Sequence, residues 1–502
     1  MEENNGLKVT FSKNLNKINF NVTTSSIIDS NVNIKRVLDI SSNMFDTKVE
    51  TTNGKAILSG KIGVKVLYLD TDNLTNILAD STAFSETLID EAITNECFIC
   101  LDNCTIVNET MSTDGMLKIN CNVTISPQMF MNLPLTNNAN QFENMIVKKN
   151  EIQTNTIAAN INSNFDYTTN FETKYNLTKI LCHNSYFTLS SCVPNQDSFT
   201  IEGTMYSILV YECQENEETL IKQLSNTFNV KTDVQLANIN KDCTLDVCCS
   251  IDKSKESIST DVEDNNNVIT ILNNIKIDGV ALSNVSLDLI DDMYSVDNEI
   301  ELNSSTREIT NKITCKNIPE TVSAEIDINE NEPAIDEIIA NLDMSPEITN
   351  TYIKDDCLFV EGVISSQLLY IDENKECQQK QTQIPFIINT KINVEKPNCA
   401  RVNISITDCK AKSKRGTIFD IEYYICLNVC IYETQPVDFV DNISIGKSLD
   451  FSNYDYQIFL TRPGETMWEL CKRIKIEPDK LSQYNNNLPL VMEGGEKVVV
   501  KR

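Results

Sequence analysis

Through the body of the chain apolar and polar residues alternate with a period of two, the mark of strands that turn one face to a core. Three stretches carry this pattern in a common form: Gly60-Lys-Ile-Gly-Val-Lys-Val-Leu-Tyr68, Gly203-Thr-Met-Tyr-Ser-Ile-Leu-Val-Tyr211 and Gly362-Val-Ile-Ser-Ser-Gln-Leu-Leu-Tyr370. Each is a glycine, seven residues and a tyrosine. Counting back by twos from the tyrosines gives Val66, Val64 and Ile62, then Leu209, Ser207 and Met205, then Leu368, Ser366 and Ile364. The parity continues upstream through Leu58, Ile201 and Val360, so each glycine interrupts a longer strand. Glycine in that setting marks a bulge or a close backbone approach. The glycines lie 143 and 159 residues apart, and three copies of one domain account for them.

A polar turn follows each tyrosine: Leu69–Asn73, Glu212–Asn216 and Ile371–Lys375. Asp and Asn suit such turns because their side chains bond nearby backbone amides. A further strand then leads to Phe84, Phe228 or Phe386, which lie 16, 17 and 16 residues past the tyrosine, so each copy contains a long hairpin. Later alternating runs occur at Met116–Ser126, Val268–Leu289 and Thr417–Tyr432. Ahead of each hairpin, Ile34–Ile40, Thr178–Leu181 and Ile335–Leu342 are short apolar stretches that fit helix or strand. The expected fold is mainly β, with antiparallel sandwiches or open barrels. The expected domains are residues 1–150, 151–325 and 326–450, followed by a small α+β module at 453–502.

That last module changes pattern and holds the only tryptophan, Trp468. A strand, Tyr456–Leu460, turns at Arg462-Pro463-Gly464. Met467, Leu470, Cys471 and Ile474 then follow at helical spacing. Pro478, a good first-turn residue, opens a second helix to about Tyr484. Gly494-Gly495 leads into a final strand, Lys497–Lys501. The predicted order is strand, helix, helix, strand.

Charge sharpens the contrast. Residues 453–502 carry 7 acidic and 8 basic side chains, net +1; the whole chain of 502 residues is −30, so the preceding 452 residues carry −31. With 42 basic residues among 72 acidic ones, the chain lacks the dense cationic field that nucleic acid or an anionic membrane surface demands. No run approaches the roughly 18 uninterrupted apolar residues of a spanning helix, since Lys61 and Lys65 cut even Ala56–Leu69. Met1-Glu-Glu-Asn-Asn is acidic where a secretory leader would be basic and then apolar, so a cytosolic location is expected. There the 18 cysteines would be mostly reduced, with Cys100, Cys248, Cys426 and Cys430 acting as small hydrophobes in alternating runs.

Catalytic chemistry is sparse. The one histidine, His183, rules out multi-histidine metal sites and reads as a packed or surface residue. No P-loop is present: Val49, Lys55 and Asp441 stand where the motif's first glycine would precede the three Gly-Lys pairs. Cys97-x-x-Cys100-x-x-x-Cys104 has no second pair at finger spacing, and residues three apart on a strand face opposite ways, so these cysteines read as core thiols. The acidic turns lack the glycine and twelfth-position glutamate of a calcium loop. The expectation is a protein that is not an enzyme, with no catalytic residues, no metal and no cofactor.

The terminal module resembles the LysM domain. Tyr456, Pro463-Gly464-Glu465-Thr466-Met467-Trp468, Pro478, Asn485 and Gly495-Glu-Lys-Val498 carry the likeness, over about a tenth of the chain. Glu465 replaces the commoner aspartate and Cys471 the usual alanine. LysM domains bind N-acetylglucosamine polymers between two loops, which by position are Arg462–Met467 and Asn486–Glu493. Tandem mainly-β copies with the Gly-x7-Tyr strand ahead of one LysM are similar to the SPOCS-domain family of spore-coat morphogenetic proteins. The resemblance implies a non-enzymatic adaptor in the mother-cell cytoplasm, at the forespore surface or coat. Its implied partners are the stage IV sporulation coat ATPase and other coat proteins. Peptidoglycan or another N-acetylglucosamine polymer is the alternative ligand.

The groove is assigned to Arg462, Pro463, Gly464, Glu465, Thr466, Met467, Trp468, Asn485, Leu488, Pro489 and Leu490. Trp468 keeps two readings, an apolar anchor between helix and sheet or a partly exposed binding hot spot.

Overall fold

A computed structural model describes residues 7–14, 18–24, 34–72, 74–113, 116–135, 145–215, 218–263, 266–328, 333–392, 397–450, 456–485 and 488–501. The protein is mainly β, with two short helices among the described residues.

The strands fall into three sets. The first comprises β1 (Leu7–Asn14), β2 (Ile18–Thr24), β3 (Ile34–Thr52), β4 (Lys55–Asp70), β5 (Thr75–Ile89), β6 (Phe98–Thr113) and β7 (Met116–Leu135). The second comprises β8 (Met145–Thr173), β9 (Asn176–Pro194), β10 (Ser198–Glu215), β11 (Glu218–Gln235), β12 (Thr244–Ile251), β13 (Ser257–Glu263) and β14 (Asn266–Ser295). The third comprises β15 (Asn298–Asp327), β16 (Ile335–Lys354), β17 (Cys357–Asp372), β18 (Cys377–Lys391), β19 (Pro397–Arg415) and β20 (Ile418–Ser448).

One topology recurs in all three. A meander of three antiparallel strands, β3-β4-β5, β9-β10-β11 or β16-β17-β18, forms one sheet. In the other sheet the set's last strand is central, flanked by its first strand and by the strand just before it. The first set splits its opening strand into β1 and β2; the second splits its penultimate strand into β12 and β13. Packed face to face, the two sheets of the first set join Ile62, Val64, Val66 and Tyr68 to Ile119, Cys121, Val123 and Ile125. In the second set Phe199, Ile201 and Met205 meet Ile275, Ile277 and Ala281.

The meanders also share their irregularities. The strand preceding each Gly-x7-Tyr strand bulges at Lys35, Thr178 and Asp336, again at Leu38, Leu181 and Ile339, and also opposite Gly60, Gly203 and Gly362, with one more register shift between Leu342 and Ser345 in the third set. Bulges tighten local twist. The second one turns Leu38, Leu181 and Ile339 into a single core cluster, at 0%, 3% and 3% exposure. The ambiguous stretches ahead of the hairpins are thus strands, and their apolar runs reflect bulges that break the period of two.

At Gly203 a Cβ would lie 2.4 Å from the Thr188 carbonyl oxygen, and at Gly362 2.2 Å from that of Glu347. Phe84 and Phe386 pair directly across from Gly60 and Gly362. Phe228 does not: it pairs with Met205, and Phe187 on the neighbouring strand covers Gly203 instead. The cause is the hairpin turn, which closes at Glu215/Glu218 in the second set but at Leu69/Thr75 and Ile371/Cys377 in the others. Those two share another device. Oδ1 of Asp70 accepts from the Asp72 and Leu74 amides, and Oδ1 of Asp372 from the Asn374 and Glu376 amides, all at 2.9 Å.

The polar residues Ser207 and Ser366 on the inward parity are buried and paired. Ser207 meets Ser185 at 3.0 Å, and Ser366 meets Tyr423 at 2.6 Å.

Pairing shifts two boundaries from the expected ones. β8 crosses position 150 without a break and pairs with β14, while β15 pairs with β20. By pairing, the sets divide between β7 and β8 and at residues 296–297. Cys430 is also not the free thiol expected. It sits across from Cys315 in the β15/β20 register, with Cα atoms 4.1 Å apart, and the two form a disulfide. A pairing across 115 residues leaves no local sequence signal. Cys100 and Cys426 are buried and Cys248 is partly buried, and none of them is in a disulfide.

All three sets meet again in a second, smaller cluster. Phe130 and Cys100, Val280 and Leu282, and Cys430 and Tyr432 form a shared apolar cluster. Beside it Arg401 donates to Asp246 at 2.7 Å, both side chains 2% exposed, and the Tyr432 hydroxyl donates to the same carboxylate.

Candidate functional site

The terminal module consists of β21 (Tyr456–Leu460), α1 (Met467–Ile474), α2 (Pro478–Tyr484) and β22 (Lys497–Lys501), with β21 and β22 antiparallel. Thr466 starts α1 with a capping box: its hydroxyl accepts from the Glu469 amide at 3.2 Å, and Glu469 accepts from the Thr466 amide at 2.8 Å. Lys475 ends the helix in the left-handed conformation, φ 54°. Leu470, Cys471 and Ile474 bury its apolar face with Leu481, Met492, Val498 and Val500. The small thiol of Cys471 fits this core with no exposure. Asn485 ties α2 to β22: its amide donates to the Leu481 and Val499 carbonyls, and its carbonyl accepts from the Val499 amide at 2.7 Å.

The two loops expected to frame a groove do run side by side. The Gly464 amide donates to Met492 O at 2.9 Å, the Met467 amide to Leu490 O at 3.0 Å, and the Met492 amide to Glu465 O at 2.8 Å. Residues 486 and 487 lie outside the described residues.

The eleven groove residues divide by role. Arg462, Pro463, Gly464, Pro489 and Leu490 are exposed, Leu490 at 84%. Glu465 is buried and fork-bonded to Arg473 at 2.6 and 2.8 Å. Hydrogen bonds from Arg473 and from the Arg462 amide hold its carboxyl below the ordinary value against its burial. Thr466 is the helix cap and Asn485 the α2 tether. Met467 and Leu488 pack on the module core.

Trp468 faces the body. Its indole nitrogen donates to Asp292 at 2.7 Å, and its ring meets Tyr294 edge-on, centroids 5.2 Å apart. Lys472 donates to the other Asp292 oxygen at 2.5 Å, and the fully buried Tyr294 donates to the Ile476 carbonyl at 2.6 Å. Burial alone would raise the Asp292 carboxyl, but Lys472 and Trp468 hold it below its ordinary value. Trp468 therefore anchors the module to β14, a role neither of its expected readings assigned. Asp292 and Tyr294 had no signal in the sequence, since an acid and a tyrosine near a strand end are unremarkable.

What the module turns to solvent is a sheet face and a loop rim. Tyr456, Ile458 and Leu460 alternate on the outer side of β21 at 62%, 67% and 58% exposure, opposite Lys501, Val499 and Lys497. Leu490 and Val491 stand out from the second loop, Val491 at 55%. Among the described residues sixteen large hydrophobics are exposed, and six of them, counting Tyr484, fall in this module. The strand itself was legible in the sequence; which of its residues face outward was not.

Elsewhere, no group of three or more His, Cys, Asp or Glu among the described residues is placed to hold a metal. No helix among them is long and apolar enough to cross a membrane. Set against known protein families, curated proteins and solved structures, the chain matches none.

Proposed function

We propose that the protein is a non-enzymatic adaptor in which the three-set β body is a scaffold and the terminal module docks on a protein partner. One observation carries the reading, the concentration of exposed apolar side chains on the smallest part of the molecule. Apolar surface of this kind marks interaction sites when it is clustered rather than scattered. The polar anchor through Asp292 supports it too, because it holds the module at a fixed place on the scaffold while β21 and the loop rim stay free.

The residues that resemble LysM, and the recurrent β sets ahead of them, favour the SPOCS-domain spore-coat morphogenetic class. On that reading the partner is the coat morphogenetic ATPase, other coat proteins assemble on the body, and the site of action is the forespore surface. Affinity purification from sporulating cells tests it, comparing the full chain with one ending at Ser452. Recovery of the ATPase with the full chain alone supports the adaptor role; equal recovery by both removes it.

A second reading, binding of N-acetylglucosamine polymers, rests on the adjacency of the two loops. Sedimentation with purified peptidoglycan decides it, and a chain left wholly in the supernatant excludes it.

A further inference from the structure

Where the first and second sets meet, β3, β4, β5 and β9 and the segment from Lys253 to Thr260 enclose a cleft of about 550 Å³. That is within the roughly 300–1,000 Å³ range of small-molecule sites. Its lining includes Lys65, Lys179, Lys253, His183, Asp39 and Glu256. Three lysines on one cleft is a local reversal of charge in a chain with 72 acidic and 42 basic residues.

These cations are poorly matched by the protein. Lys65 has no ion pair among the described residues. Lys179 donates to the neutral Thr75 carbonyl at 2.5 Å. Lys253 donates to the Asn184 side chain at 3.2 Å, with Asp343 no nearer than 4.0 Å.

The acids are unmatched in the opposite sense. Oε2 of Glu256 lies 3.1 Å from His183 Nε2, but its Oε1 is buried with no hydrogen-bond partner, on a side chain 5% exposed. Asp39, 4% exposed, also has a buried oxygen, Oδ1, without a partner. Burial, and after it the Asp343 carboxylate, push the Asp39 carboxyl well above its ordinary value. A buried polar atom left unpaired is costly, and one on a residue that lines a cavity can be met by whatever fills that cavity.

We propose that this cleft binds a small organic anion, a carboxylate or phosphate monoester that also carries hydroxyl groups. The anionic end meets Lys65, Lys179 and Lys253; the hydroxyls donate to the unpartnered oxygens of Glu256 and Asp39. Both chemistries are needed, because an anion without donors would leave those oxygens unmet and a neutral polyol would leave the lysines unmet. The site is separate from the terminal module, and its occupancy does not bear on partner docking.

Calorimetry on the full chain tests this with malate and glycerol 3-phosphate as probes, with glycerol and chloride at matched ionic strength as controls. The expected result is saturable binding of at least one probe and none of either control. Lys65→Gln, at an exposed position, is expected to weaken that binding about tenfold, and Glu256→Gln to weaken it while leaving the response to chloride unchanged. Which probe binds distinguishes carboxylate from phosphate. No saturable binding of either probe to the wild-type chain, equal binding of glycerol, or affinity unchanged in Lys65→Gln would overturn the proposal.

Discussion

The indole of Trp468 and the carboxylate of Asp292, 176 residues apart, are joined by a 2.7 Å hydrogen bond that fixes the terminal module to the end of β14. Lys472 shares that carboxylate, so removing it leaves a partly buried donor and a cation without their acceptor. Asp292→Ala is expected to weaken the docking by about 1–2 kcal/mol, at the low end for charged hydrogen bonds because Lys472 is partly exposed. Trp468 is the chain's single tryptophan, so its fluorescence reports this contact alone. Emission should shift to the red in Asp292→Ala under conditions where the body stays folded; an unshifted spectrum would show that the contact does not hold the module.

The repeated glycines should not be equivalent. At Gly203 and Gly362 a Cβ would press on backbone oxygens at 2.4 and 2.2 Å, which cannot move without disturbing the bulge. At Gly60 its nearest neighbour is the Phe84 ring at 3.0 Å, which can shift. Alanine at either of the first two positions should cost about 1–3 kcal/mol, and at Gly60 clearly less. Thermal melts of the three variants check the order, and equal losses would contradict it.

The Arg401–Asp246 pair couples the second and third sets in a site with almost no water. Arg401→Ala should destabilise by about 3–5 kcal/mol because it takes the cationic partner from a buried acid and leaves it only the Tyr432 hydroxyl. Replacing both, as Arg401→Met with Asp246→Leu, should cost much less. A chemical-denaturation series checks this, and a double variant worse than the single one would contradict it.

Acid should loosen the terminal module. The folded carboxyls of Glu465 and Asp292 lie below their ordinary values, so their contribution is present above the unfolded carboxyl pKa of about 4 and is lost as pH falls through the folded values. Glu496 acts in the same direction, held down to about 2 chiefly by the Thr461 hydroxyl. Trp468 emission followed from about pH 6 to pH 2 should show the transition. Glu465→Gln should make it shallower, and an unchanged curve would remove Glu465 from the account.

Sequence pattern carried the strands further than it carried their partners. Period-two parity located β4, β10 and β17 and put Ser207 and Ser366 on the inward face, where they are buried and paired. Helical spacing placed α1 at Met467, and Pro478 opened α2. Pairing was hidden, because a strand's own alternation does not name the strand beside it. β15 was therefore assigned to the second domain, and Cys430 was read without Cys315. In the terminal module Thr466 and Asn485 were assigned to the groove, whereas the structure uses them as the α1 cap and the α2 tether, and the orientation of Trp468 depended on Asp292 and Tyr294 in another part of the fold. The cleft beside His183 likewise needed residues from separate strands, which no spacing relates.

The most direct test of the adaptor account measures the affinity of the purified full chain for the purified coat ATPase, against Ile458→Asp and Leu490→Asp. The account predicts at least about tenfold weaker binding for one or both, with Trp468 emission unchanged as evidence that the module is folded and docked. Wild-type affinity in both variants, or in a chain ending at Ser452, would contradict it.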